Sequence, residues 1–362
     1  MTDRKRILFL ADINSIHTER WVKNLIAKGF EIGVFSLSVK TSSWADELAG
    51  VTYKCYGLTD DLIRSGRKWG KISYFAATKD VRAFCTIFDP GIVHAHYASS
   101  YGMLAARLKF PKTVLSLWGS DVYEFPKRSF LHKMLFKKAL RSATVVCSTS
   151  KDMAREAERY VKMDFQITPF GVDIETFIPG DSTNELLTIG TVKSLEEVYG
   201  IDRLLRLFSE FSRDYKKPSR LLIYGKGSKE QELRELSKEL NIENHVEFKG
   251  YVEADNLVKA FNSLDIFVAL SRRESFGVAV LEAQACGVPV LVSNVGGLPE
   301  VVGDKSGFII DGDDLKRGVE VLIDFADSKK RAQMSIEART FVEENYSEEV
   351  CVNKLIEVYD QI

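Results

Sequence analysis

A chain of 362 residues, 45% apolar and 28% charged, is long enough for two folded domains and too apolar to stay disordered. Its 50 Lys and Arg against 51 Asp and Glu leave a net charge of −1, which argues against a dedicated nucleic-acid binder. The five cysteines (Cys55, Cys85, Cys147, Cys286, Cys351) are scattered, odd in number and free of any C-x-x-C spacing. They read as reduced core residues of a cytoplasmic protein. After its basic start, MTDRKRILFLADIN is too briefly apolar for a signal-peptide core, and no run approaches a membrane span.

In chain order, Arg6–Ala11 reads as a buried strand, Ile16–Lys28 as a helix closed by Gly29, and Glu31–Ser36 as a second strand. That is the opening of a doubly wound α/β domain. The turn after the first strand is Asp12-Ile13-Asn14-Ser15-Ile16-His17, with no G-x-G-x-x-G, which argues against a dinucleotide site. Asn14 and Ser15 both suit a helix cap. Two segments, 62–79 and 126–141, interleave Lys and Arg with large apolar residues. A membrane interface uses that pattern, and so does a half-buried helix with solvated lysines.

Asp89–Tyr97 predicts a strand that runs into a loop, with His94 and His96 on one face. A zinc site needs two further ligands, and the sequence offers none nearby, so no metal is expected. His96 lies at the carboxyl end, where doubly wound sheets bind ligands, and is the functional candidate; His94 reads as core. Thr113–Leu117 is the next strand and ends in Trp118-Gly119-Ser120-Asp121, where Asp121 either orients a hydroxyl or caps the turn. Ala143–Ser148 is a strand and Lys151–Val161 a helix. Pro169, Gly171 and the polar run 180–184 then suit a linker, placing the domain boundary near residue 175.

The second half restarts the pattern. Leu186–Val192 is a strand, followed by the loop Lys193–Gly200 and a helix to about Tyr215. The strand Arg220–Tyr224 leads into Gly225-Lys226-Gly227, and Val246–Val252 is a strand and turn through Gly250 and Tyr251. Ser271–Glu300, SRRESFGVAVLEAQACGVPVLVSNVGGLPE, is loop, helix, strand and glycine turn after the strand Ile266–Leu270. Ser275 is the expected N-cap of a helix over Phe276–Ala285, stopped by Gly287. The amides of Phe276, Gly277 and Val278 would then face an anion, helped by the helix dipole and the bare Gly277. On one continuous helix Glu274 and Glu282 would be separated by roughly 12 Å of rise and about 80°. They are no acid/base dyad; they read as hydroxyl-binding groups on either side of a phosphate site, one for a sugar and one for a ribose.

The block ESFGVAVLEAQACGVPVLVSNVGGLPEVV resembles the donor-site signature of the retaining glycosyltransferases of family 4, its two glutamates matching their E-x7-E motif. The resemblance implies an α/β GT-B fold: two Rossmann-like doubly wound domains facing each other across a cleft. Residues 1–174 would bind the acceptor, 175–345 the nucleotide sugar, and the helix 346–362 would pack back toward the first domain. It implies that Glu282 holds the ribose and Glu274 the donor sugar. The amides from Phe276 and Gly277 through Val278 would meet the diphosphate, and Gly250 and Tyr251 the base. Asn14 and His17 would face the acceptor, with Trp118 and Asp121 beside it and His96 catalytic.

Two positions depart from the family pattern. Trp118 stands where many members have a histidine, and Val198 where a second diphosphate-binding lysine is usual; Lys193 matches the first cation. Lys226, Arg272 and Arg273 are the substitutes within reach of the sequence reading. The implied reaction takes a sugar from a nucleoside diphosphate sugar (UDP ahead of GDP) to a glycan or lipid-linked hydroxyl, without metal or cofactor. The product would be cell-surface polysaccharide, lipopolysaccharide or glycolipid, and the enzyme would be cytoplasmic or peripheral on the inner membrane face. A non-catalytic sugar-nucleotide-binding protein and a sugar-nucleotide epimerase are the competing readings.

Overall fold

The computed structural model describes residues 6–59, 68–180 and 186–362, with the backbone alone for 68–75. The first half carries β1 (Arg6–Leu10), β2 (Glu31–Ser38), β3 (Val51–Leu58), β4 (Ile92–His96), β5 (Thr113–Leu117), β6 (Val145–Ser148) and β7 (Phe165–Ile167). The second carries β8 (Leu187–Val192), β9 (Ser219–Tyr224), β10 (Val246–Gly250), β11 (Ile266–Ala269), β12 (Val290–Ser293) and β13 (Gly307–Ile310). Strands of near-continuous apolar residues, such as Ile7-Leu8-Phe9-Leu10, can be buried only between helical layers on both faces of a sheet.

Both sheets are parallel and of the doubly wound order. One runs β3-β2-β1-β4-β5-β6-β7 and the other β10-β9-β8-β11-β12-β13. The order reverses between β1 and β4 in the first and between β8 and β11 in the second. At such a switch the two following loops diverge, so each sheet opens a crevice at its carboxyl edge. In the second sheet the helix Ile201–Asp214 covers one face, burying Ile201, Leu204, Leu205, Phe208 and Phe211 at helical spacing.

The chain divides into two compact units, Met1–Phe170 with Cys351–Ile362, and Gly171–Val350. The division falls at Gly171, a few residues before the expected 175. The physical reason lies within the second unit, where Val172 bridges to Ser347 in parallel. Val172 N–H donates to Tyr346 O (2.8 Å) and Glu348 N–H to Val172 O (3.0 Å). Gly171 is required there, since a Cβ would lie 2.6 Å from Glu348 Cα. The last helix, Glu348–Asp360, contributes its later residues to the first unit, where the Tyr359 hydroxyl meets His94 Nδ1 at 2.6 Å.

All five cysteines are free thiols, three of them buried. The basic segment 62–79 begins outside the described residues, and only the backbone of its middle is described. The segment 126–141 is described in full. Among the described residues no helix is long and apolar enough to cross a membrane.

Candidate functional site

In the second unit the loops after β8, β9 and β10 are laced together. Lys193 N–H donates to Tyr224 O (2.9 Å), Leu195 N–H to Lys226 O (3.0 Å) and Gly225 N–H to Gly250 O (2.7 Å). A Cβ on Gly225 would lie 1.9 Å from Lys193 O, so only glycine allows the approach. This holds Lys193 at the switch point. Its ammonium lies 2.5 Å from Glu274 Oε2, with side-chain exposures of 10% and 13%, and 5.2 Å above the Tyr199 ring. Tyr199 escaped the sequence reading, because nothing local links it to Lys193.

Glu274 is fixed by the Gly296-Gly297 turn. Gly297 N–H donates to Glu274 O (3.1 Å), and a Cβ on Gly296 would lie 1.8 Å from that oxygen. The helix behind it is Val278–Ala285, shorter than expected. Its N-cap is Gly277 at φ 114°, not Ser275, and no side chain caps it. The amides of Val280 and Leu281 already reach Gly277 O, so the helix offers an anion those of Val278 and Ala279. Phe276, expected as the first helical residue, precedes the helix, and its buried ring faces Tyr346 at 6.0 Å. The two glutamates are not on one helix. Glu274 sits on the loop, and Glu282 is one turn inside, 7% exposed.

Lys226 is exposed, and its Cε lies 3.8 Å from where a Cβ on Gly250 would be; Tyr251 is 64% exposed beside it. Arg272, one of the expected substitutes for a second cation, is engaged elsewhere. Its guanidinium is forked onto Asp202 (2.7 and 2.6 Å) and donates to Glu197 O.

In the first unit the structure redistributes the expected roles. Asn14 Oδ1 accepts from Thr41 N–H (2.7 Å), Thr41 Oγ1 and Ser42 N–H, while its Nδ2 donates to Val39 O. Its amide shapes that loop, so the acceptor-contact reading of Asn14 loses its chemistry. Asp121 is fully buried and takes the amides of Ala98 (2.9 Å), Trp118 (3.2 Å) and Gly119 (2.9 Å). It ties the β5 turn to the start of the segment after β4, and it is not presented to a substrate hydroxyl. Burial raises its pKa against these amides, which pull the other way.

Burial holds three imidazoles neutral. His94 is pushed down to about 3, with Nδ1 on Tyr359 and Nε2 on the Ser116 hydroxyl at 2.7 Å. His96 is lowered well below its usual value; its ring is packed by Phe9, His94 and Trp118 (4.1 Å), and neither nitrogen has a hydrogen bond. Enclosed in this way it presents neither nitrogen at the surface, where the catalytic role expected of it would need one. His17, lowered to about 4 by burial and then by Arg20, stacks on Phe170 at 4.0 Å and meets Trp118 edge-on. Tyr97, directly after β4, holds φ 66°, a left-handed conformation that is costly for a tyrosine.

Two family models match the chain: glycosyl transferase 4-like over residues 6–150 and glycosyl transferases group 1 over 175–341. D-inositol 3-phosphate glycosyltransferase of Corynebacterium urealyticum is 31% identical over 302 residues, covering 74% of this chain and 70% of the relative. The chain belongs to the group 1 glycosyltransferases. Anabaena Alr3699/HepE in complex with UDP has the same fold, with a TM-score of 0.78 over 99% of this chain and 100% of that one, at 17% identity. A GDP-mannose-dependent monoacylated phosphatidylinositol monomannoside mannosyltransferase of Corynebacterium glutamicum is 29% identical, covering 54% of this chain and 55% of its own. The chain spans between 25% and 55% of the length of several curated relatives it matches.

Lys193 is paired with Glu274. Among the described residues no three His, Cys, Asp or Glu side chains are grouped to hold a metal ion.

Proposed function

We propose that this glycosyltransferase moves a sugar from a nucleoside diphosphate sugar to a hydroxyl of a glycan or lipid-linked acceptor. The anomeric configuration is retained and no metal ion is required; the product belongs to cell-surface polysaccharide or glycolipid. The anomeric C–O bond to the diphosphate breaks, the acceptor oxygen bonds to that carbon, and the acceptor's proton leaves with the diphosphate. The protein's task is electrostatic, because negative charge grows on the departing oxygen.

One observation carries the reading: the Lys193 ammonium and the Glu274 carboxylate, 2.5 Å apart, at the switch point of the second unit. Lys193 and the amides of Val278 and Ala279 stabilise the diphosphate, and Glu274 takes a hydroxyl of the donor sugar. Glu282 takes the ribose, and Gly250, Tyr251 and Lys226 flank the base. A UDP-sugar is the favoured donor, supported by the UDP complex of the similar Anabaena protein. His17 and Trp118 of the first unit contact the acceptor. Val198 and Trp118 favour one other reading, a non-catalytic sugar-nucleotide-binding protein.

A thermal-shift screen of UDP-, GDP-, ADP- and dTDP-sugars, followed by turnover with and without acceptor, tests this. A donor at a hundred times its Kd stabilises the fold by about 2.7 kcal/mol. The expected result is stabilisation by a UDP-sugar and a retained glycoside that forms only with acceptor. Binding without turnover selects the non-catalytic reading, epimerised donor without acceptor selects an epimerase, and no shift with any donor removes all three.

A further inference from the structure

The helix Val278–Ala285 has eight residues, so its two ends are only about 12 Å apart and it moves as one piece. Its carboxyl end is written in the sequence Ala285-Cys286-Gly287-Val288-Pro289. Gly287, at φ 71°, turns the chain left-handed. Its amide then donates back to Gln284 O (2.9 Å), that of Val288 to Ala283 O (2.9 Å) and that of Cys286 to Glu282 O (3.1 Å). Ala285 O is the carbonyl left over, because the residue four further on is Pro289, which has no N–H to give.

Arg339 supplies that donor. It stands on the helix Ser328–Tyr346, which comes close because Gly287 has no side chain: a Cβ there would lie 2.5 Å from Ser335 Oγ. Arg339 Nη1 donates to Ala285 O at 2.9 Å and also to Phe177 O, Nη2 donates to Ile174 O at 2.8 Å, and Nε pairs with Glu343. One guanidinium serves three carbonyls because its five N–H groups lie in a rigid plane. The side chain is 19% exposed, so water competes weakly for these bonds. Its charge also sits at the negative end of the helix dipole.

We propose that Arg339 is a positioning residue of the donor site. By fixing the carboxyl end of the helix to the segment 174–177, it sets where the amides of Val278 and Ala279 meet a diphosphate. This role rests on the donor reading of that helix, since Arg339 acts through the helix and touches no substrate. Without the guanidinium, the short helix loses both a hydrogen-bond donor and a cation at one end, and its other end shifts with it. An anion held by two amides is sensitive to such a shift, because hydrogen bonds weaken steeply as they leave their line.

The variants that test this are Arg339→Met, of similar length without charge, and Arg339→Lys, which keeps the charge but not the planar fork. Each is compared with the wild type by amide hydrogen exchange and by calorimetric titration with UDP and with GDP, well below the unfolding temperature. In Arg339→Met, exchange should quicken over 280–288 and stay unchanged in the strand Ile266–Ala269. Nucleotide binding should weaken by roughly tenfold with its stoichiometry unchanged. Arg339→Lys should lose about threefold, and it carries the comparison should Arg339→Met not fold. A purely structural arginine would instead lower the stoichiometry, as part of the protein unfolds, and leave the Kd of the remainder intact; that result overturns the proposal. Binding of equal strength by the wild type and both variants removes the proposal alone. A wild type that binds neither nucleotide removes the donor reading and the proposal with it.

Discussion

Lys193 and Glu274 stand 81 residues apart in sequence and 2.5 Å apart in space, and each neutralises the other at the switch point of the second sheet, where the proposed function puts the diphosphate. The two residues therefore respond in opposite directions when one is removed. Lys193→Ala should weaken UDP binding by on the order of 2 kcal/mol, the worth of a charge-assisted hydrogen bond. Glu274→Gln frees the ammonium and should tighten UDP binding by about 1 kcal/mol while lowering turnover of the UDP-sugar by roughly a hundredfold. Calorimetry with UDP and initial rates with the sugar nucleotide check both, and a shift of the same sign in both variants would remove the pair from the donor site.

Val198 stands where the resemblance to family 4 implies a second cation. Val198→Lys should strengthen UDP binding and raise the transfer rate, each by about tenfold, because the added ammonium acts on the developing leaving-group charge. Titration with UDP and the rate at saturating donor measure the two separately. An unchanged rate would mean that another group already fills that electrostatic role.

Gly277 is held at φ 114°, and a Cβ there would lie 2.9 Å from Leu298 Cδ2 and 3.2 Å from Val301 Cγ2. Gly277→Ala therefore strains both backbone and packing. It should cost about 1 to 3 kcal/mol of stability and push the amides of Val278 and Ala279 off their line. Thermal unfolding reads the first effect and UDP affinity the second. Ser275→Ala should change helix stability little, since the cap lies two residues further on.

The buried histidines predict an acid-sensitive first unit. His94 and His17 have folded pKa values near 3 and 4 against an ordinary 6.5, so the unfolded chain binds more protons than the folded one between those limits. Stability is then greatest above pH 6.5 and falls as pH drops, by up to about 1.4 kcal/mol per histidine per pH unit. Asp121, raised by burial, acts in the opposite sense, so an Asp121→Asn background separates its share from that of the histidines between pH 6.5 and 5. Denaturant unfolding across that window should show the decline, and His94→Gln should remove one histidine's share of the slope. A flat profile would mean these rings protonate without unfolding.

Much of this molecule was legible in its sequence. Runs such as Ile266–Leu270, helical spacing and glycine stops report on neighbours within a turn or two, and they give two doubly wound sheets. Where each sheet reverses order, and so which loops flank its crevice, came only from the strand pairing. Local chemistry was enough to name the inventory, while the lysine expected at Val198 came from the family resemblance.

Sequence could not say which of those polar groups were already committed. Asn14 is engaged by residues 25 to 28 positions away, Arg272 by one 70 away, and Lys193 by one 81 away. Those partners are brought together by strand register and helix packing, which no short window contains. The same holds for His96: its alternation with His94 shows, but the Phe9 and Trp118 rings that enclose it arrive from other strands. Local periodicity thus determined the scaffold and the reactive groups available. Tertiary structure alone decided which groups remain free to act, because a polar side chain is free only when long-range packing leaves it exposed and without a partner.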